Sequence, residues 1–174
     1  TAYGWVVIGD EPPDAERELL AQRFGIHKLA ITDALRERHP PKIEPFPENT
    51  FILLKGLDAV SNSLEFGTIQ LSLFLGDRFL VTRSSGASAS TSAVQQELIS
   101  GVIEADISRA ALGLRLCRTV ADRFLPLLLA VEKRLDEMED EMLESPSDEL
   151  LAELVRQKGA LKRLLRILQY HAQV

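Results

Sequence analysis

Apolar and polar positions follow two rhythms along the chain, and the change falls near residue 106. Before it, short apolar runs alternate with amphipathic stretches. Trp5-Val6-Val7-Ile8-Gly9 reads as a short buried strand, residues 10–14 as a turn, and residues 15–24 as an amphipathic helix. Gly25 follows, suited to closing that helix in left-handed backbone. A second helix is expected over residues 28–38, where Pro40-Pro41 stops it because proline lacks the amide donor and restricts the residue before it. Strands are expected over residues 51–57, 67–75 and 78–82, the last two joined by Gly76-Asp77 in a tight antiparallel hairpin. Residues 84–90 form a serine-rich loop, and Ser92 with Gln95 predicts a capping box opening a helix to about residue 103. The fold class this gives is α/β (α+β), a mixed β-sheet flanked by helices.

Beyond residue 106 the spacing changes. Ile107, Ala110, Leu114, Cys117, Ala121, Phe124, Leu128, Val131, Leu135, Met138 and Met142 recur at alternating intervals of three and four, a heptad seam. A continuous helix there would be about 54 Å long at ~1.5 Å per residue, with a bend expected at Pro126. Ser145, Pro146 and Asp148 read as N-cap, first and third helical positions of a returning helix. Leu150 or Leu151, Leu154, Leu161, Leu164 or Leu165, and Leu168 supply its apolar stripe. The second half is therefore a long antiparallel helical hairpin. It divides the chain into an α/β subdomain over residues 1–106 and a hairpin over residues 107–174.

Charge is unevenly placed. The net charge is −6 over 174 residues, and residues 132–149 hold nine acidic side chains against Lys133 and Arg134. Residues 156–166 then carry five basic side chains, so the acidic run falls at the hairpin tip. No basic stripe suits a nucleic-acid backbone. The single Cys117 excludes an intrachain disulfide and fits a reducing compartment. The longest apolar run, residues 125–131, is far short of the roughly 20 residues that a membrane span needs. No nucleophile elbow, phosphate-binding glycine loop or His-Glu-x-x-His motif occurs, so no catalytic residue and no small-molecule substrate is expected. His27, His39 and His171 lack zinc-site spacing. The chain starts at Thr1 and stops at Val174 within a helical pattern, which reads as an excerpt from a longer protein.

Three pieces fall in one order between residues 24 and 55: Phe24-Gly25-Ile26-His27, then Leu29-Ala30-Ile31-Thr32-Asp33-Ala34-Leu35, then His39-Pro40-Pro41-Lys42-Ile43-Glu44, with the strand Phe51-Ile52-Leu53-Leu54-Lys55 after them. This string resembles the cytoplasmic domain of the CorA family of divalent-cation channels, and the helical hairpin with an acidic turn extends the resemblance over nearly the whole chain. The resemblance implies a regulatory, metal-sensing domain on the cytoplasmic face of a bacterial membrane protein, joined through a stalk to its own transmembrane segment. It implies a homopentamer gated by Mg²⁺ or another divalent cation bound between subunits. Asp33 matches an aspartate that helps to bind this ion, and Asp122 lines up with an acidic position near the same region. Thr32 stands where the family often has a second acid and Pro41 where it usually has arginine, so the site should be weak here. A ZntB-like zinc transporter domain, or a soluble coiled-coil interaction module without a transport role, are the alternative readings.

Overall fold

A computed structural model describes residues 4–9, 11–36, 39–58 and 66–174. Asp10 of the expected first turn and the last two residues of the expected 28–38 helix lie outside them. Strand β1 (Trp5–Ile8) leads into helix α1 (Pro13–Glu18), which continues through a π-helical turn at Leu19–Arg23. Gly25 ends this helix at φ 65°, and the amides of Gly25 and Ile26 donate back to the carbonyls of Ala21 and Leu20. Helix α2 (Lys28–Leu35) follows at once, N-capped by His27, whose Nδ1 accepts from the Leu29 amide at 3.3 Å.

Four strands complete the sheet: β2 (Lys42–Pro45), β3 (Asn49–Leu57), β4 (Thr68–Gly76) and β5 (Leu80–Ser84). Their order is β1-β5-β4-β3-β2, antiparallel except for the β1–β5 pair, which makes the sheet mixed. β2 adds to the strands expected from the sequence: Lys42-Ile43-Glu44-Pro45 pairs with β3 as an edge strand. A proline is tolerated there because an edge strand has one hydrogen-bonding side free.

Side chains alternate across the sheet, and each face has its own core. Phe51, Leu53, Phe74 and Val81 meet Leu20 of the π-helical turn, Ile26 of the link after it, and Ala30, Ile31 and Ala34 of α2. On the other face Ile52, Leu54, Leu71, Leu73 and Leu80 meet α3 (Ala89–Ile99), α4 (Arg109–Asp122), the start of α5 (Phe124–Glu144) and Leu164 of α6 (Asp148–His171). Helix layers thus cover both faces, and α5 with α6 forms the helical hairpin.

Three sequence expectations are corrected. The helix expected to begin at Ser92 begins at Ala89, with Ser88 as N-cap accepting from the Thr91 amide at 3.2 Å. The cap of α6 is Ser147, which accepts from the Leu150 amide, while Ser145 is the C-cap of α5. The heptad seam does not run unbroken. Helix α4 buries Leu112, Leu116 and Val120 against the sheet and leaves Leu114 71% exposed. The helix also breaks at Arg123, the C-cap of α4. Pro126 is the cause: it cannot donate to the Asp122 carbonyl four residues back, and its ring crowds that carbonyl.

Candidate functional site

The end of α2 is held by a polar network that the strand alternation puts in place. Gln70 on β4 and Arg83 on β5 share the sheet face that α2 covers, as Phe74 and Val81 do. A helix leaves its last carbonyls without intrahelical donors. Gln70 Nε2 donates to the carbonyls of both Asp33 and Ala34 at 3.0 Å, and Arg83 Nη1 donates to Ala34 at 3.0 Å. Arg83 is itself fixed by Glu16 of α1, whose Oε1 accepts from Nε at 2.8 Å and whose residue is 2% exposed. The backbone of Asp33 is thereby anchored to the middle of the sheet.

Its carboxylate turns outward to the loop before β2. Lys42 Nζ lies 2.6 Å from Asp33 Oδ2 and 3.0 Å from Glu44 Oε2. His39 Nε2 is 3.2 Å from Asp33 Oδ1, off the direction of a hydrogen bond. Burial works against the Lys42 ammonium, but hydrogen bonds and charge from Asp33 and Glu44 outweigh it, and its pKa is raised. Thr32, in the place of a second acid, donates its hydroxyl to the Lys28 carbonyl at 2.8 Å and offers nothing to the Asp33 side.

Asp122 sits elsewhere. It ends α4 on the opposite face of the sheet, largely exposed, with Oδ2 3.4 Å from Arg118 Nε one turn earlier. One chain therefore does not bring Asp33 and Asp122 into a common site. Among the described residues no group of three or more His, Cys, Asp or Glu could hold a metal ion. Mg²⁺ keeps most of its water and takes one or two carboxylates. Asp33 accordingly fits one arm of an ion site and no more.

Sequence reasoning missed Glu16, Gln70, Arg83 and the tie from Lys42 to Asp33. Only Glu16 carried a signal, since it precedes the fully buried Leu20 by one helical turn. His171 was given no role, yet its Nε2 accepts from the Lys55 amide at 3.1 Å and its ring meets Phe124 edge-on at 5.6 Å. Burial lowers its pKa. Beside it, Cys117, Leu114, Ile43 and Leu54 line an apolar groove of about 430 Å³. Burial pushes the Cys117 thiol up to about 11. At the hairpin, Arg134 joins the acidic segment to α6, with Nη1 2.7 Å from Glu141 and Nη2 2.8 Å from Glu153. Its hydrogen bonds hold the Glu153 carboxyl down at about 2.

A sheet covered by helices on both faces, continued into a long helical hairpin, is the architecture of known soluble domains of metal-transport proteins. The soluble domain of CorA from Methanocaldococcus jannaschii superposes with a TM-score of 0.75 at 18% identity, over 95% of this chain and 66% of that one. The ZntB cytoplasmic domain from Vibrio parahaemolyticus RIMD 2210633 superposes at 0.65 and 16% identity, over 98% and 68%. At these identities the likeness shows the fold alone. In sequence, the chain is 26% identical over 139 residues to "Putative metal ion transporter YfjQ" of Bacillus subtilis (strain 168), across 80% of this chain and 42% of that protein. It thus spans less than half the length of that relative. The family described as CorA-like Mg2+ transporter protein matches residues 2–174, and the chain belongs to this family. Among the described residues no helix is long and apolar enough to cross a membrane.

Proposed function

We propose that this chain is the cytoplasmic regulatory domain of a CorA-like divalent-cation channel. In this reading Mg²⁺, or another divalent ion such as Co²⁺ or Ni²⁺, binds between neighbouring copies in a homopentamer and biases it toward the closed arrangement. The observation that carries the reading is Asp33 itself: an outward carboxylate on a backbone fixed to the sheet by Gln70 and Arg83, within a chain that matches the family from residue 2 to residue 174. A fixed carboxylate at a subunit boundary transmits ion binding as a difference in affinity between two arrangements, which is all that a ligand needs to shift gating. Asp122, exposed on the other face, is the candidate partner from a neighbouring copy. Because each chain supplies one arm only, this domain alone binds Mg²⁺ weakly.

The test is Mg²⁺ flux through the full-length protein in vesicles, with internal Mg²⁺ varied. Suppression of flux by internal Mg²⁺ in the parent, relieved in Asp33→Asn with conduction intact, is the expected result. Flux of a divalent ion with identical suppression in parent and variant would remove Asp33 from the mechanism. Absence of any divalent flux would remove the channel reading.

A further inference from the structure

Asp33 presents a carboxylate that is already occupied. Its Oδ2 holds the Lys42 ammonium at 2.6 Å, and its Oδ1 faces the His39 imidazole at 3.2 Å. We propose that Lys42 is a built-in competitor for the divalent cation at Asp33, holding the ion's place in the ion-free domain and passing to Glu44 when the ion arrives. This rests on the reading of Asp33 given above and names the regulation of that site.

Three features of the geometry carry it. Lys42 has two carboxylates within reach, and the second, Glu44 at 3.0 Å, is the more exposed, with 42% of its side chain open against 21% for Asp33. Leaving Asp33 therefore does not strand the ammonium in apolar surroundings. The two sides of the pair also differ in freedom. The Asp33 backbone is fixed by Gln70, with Arg83 on the next carbonyl, whereas Lys42 stands at the first position of a four-residue edge strand. Displacement thus falls on the lysine rather than on the helix. Finally, the Lys42 ammonium lies 5.7 Å from the Phe51 ring centroid, so part of its environment is an aromatic face that tolerates an uncharged replacement of similar length.

A divalent ion at Asp33 keeps its inner water and competes with a bare, tethered monovalent charge. Its affinity is set by the difference between the two attractions, so removing the tethered charge tightens binding by roughly tenfold, a discounted figure for a partly exposed pair. The competitor is also local, one per chain, so its effective concentration does not depend on what the solution holds.

The test is calorimetric titration of the 174-residue chain with MgCl2, comparing the parent with Lys42→Met, Lys42→Gln, Lys42→Arg and the double variant Asp33→Asn/Lys42→Met, each checked for native circular dichroism. The expected result is weak binding by the parent, binding roughly tenfold tighter in Lys42→Met and Lys42→Gln, no tightening in Lys42→Arg, and loss of the gain in the double variant. Binding by the parent that Lys42→Met and Lys42→Gln leave unchanged overturns the competitor while sparing Asp33. A gain that survives Asp33→Asn overturns it as well, since the effect then bypasses this carboxylate. No binding in the parent or in either neutral variant overturns the competitor, while Asp33 as a ligand between copies stands or falls on the flux of the full-length protein.

Discussion

Replacing Arg83 by methionine should be among the most damaging single changes in the α2 face of the domain. The substitution keeps the length of the stem but removes the guanidinium from a carboxylate whose residue is 2% exposed. Glu16 Oε1, reached by Nε at 2.8 Å, loses its partner, and the Ala34 carbonyl, reached by Nη1 at 3.0 Å, is left with Gln70 alone. Breaking a buried pair from one side costs about 3–5 kcal/mol, because the remaining charge stays desolvated. At ~2–4 °C per kcal/mol for a chain of this size, the melting temperature should fall by roughly 10 °C. Converting both members, Glu16→Leu with Arg83→Met, removes the stranded charge and should recover most of the loss, leaving a coupling of at least about 2 kcal/mol between the sites. Urea denaturation followed by circular dichroism measures all four species, provided that the slope with denaturant is common to them. A single variant within about 0.5 kcal/mol of the parent, or a double variant whose loss is the sum of the singles, refutes the claim that this pair is a desolvated clamp.

Further outcomes follow from other parts of the molecule. Because burial lowers the His171 pKa from 6.5, the folded state favours the neutral ring, so its contribution is complete above the unfolded value and is lost as pH falls through the folded one. Thermal melts should therefore show a loss of stability below about pH 6.5 that His171→Gln, still able to accept from Lys55, reduces; equal slopes in both proteins would refute it. Ser88→Ala should cost about 1 kcal/mol through loss of the α3 cap, whereas Ser92→Ala inside the helix should cost little, as paired denaturation curves will show. Cys117, with its thiol pushed up to about 11 and half buried, should react with a water-soluble disulfide reagent at pH 8 far more slowly than the unfolded chain does. Comparable rates in native and urea-unfolded protein would contradict its placement in the groove.

What the chain disclosed in advance depended on whether one stretch of sequence held the whole cause. The run Phe51-Ile52-Leu53-Leu54 reads as a central strand because both faces of the sheet are covered, so neither parity is polar. The hairpin of helices was equally legible from periodicity and from the serine-proline turn. Helix α4 was misread because Leu112, Leu116 and Val120 make a stripe as regular as Leu114, Cys117 and Ala121, and only the position of the sheet decides which is buried. The serine caps failed for a similar reason: Ser88 and Ser92 have equal chemistry, as do Ser145 and Ser147, and the choice is made by where the chain leaves the preceding element. Asp33 was picked out by family resemblance, but its tie to Lys42 was not, since it depends on a helix, a loop and an edge strand closing on one another. Gln70 and Arg83 were invisible because their task, supplying donors to the end of α2, exists only once α2 lies across β4 and β5.

The sheet ends at both sides in strands of four residues, β1 and β2. β2 carries Lys42, Glu44 and Pro45, and the stretch of β3 that it does not reach meets the imidazole of His171 at the Lys55 amide. A short, charged and proline-bearing border such as β2 is a poor template for backbone pairing with another chain. Copies of this domain crowded together at high local concentration are therefore guarded at the β2 edge against joining sheet to sheet, the route by which β-rich surfaces pass into fibres. An ordered contact along that edge has to be written in side chains, where a single lysine or aspartate can still reverse it.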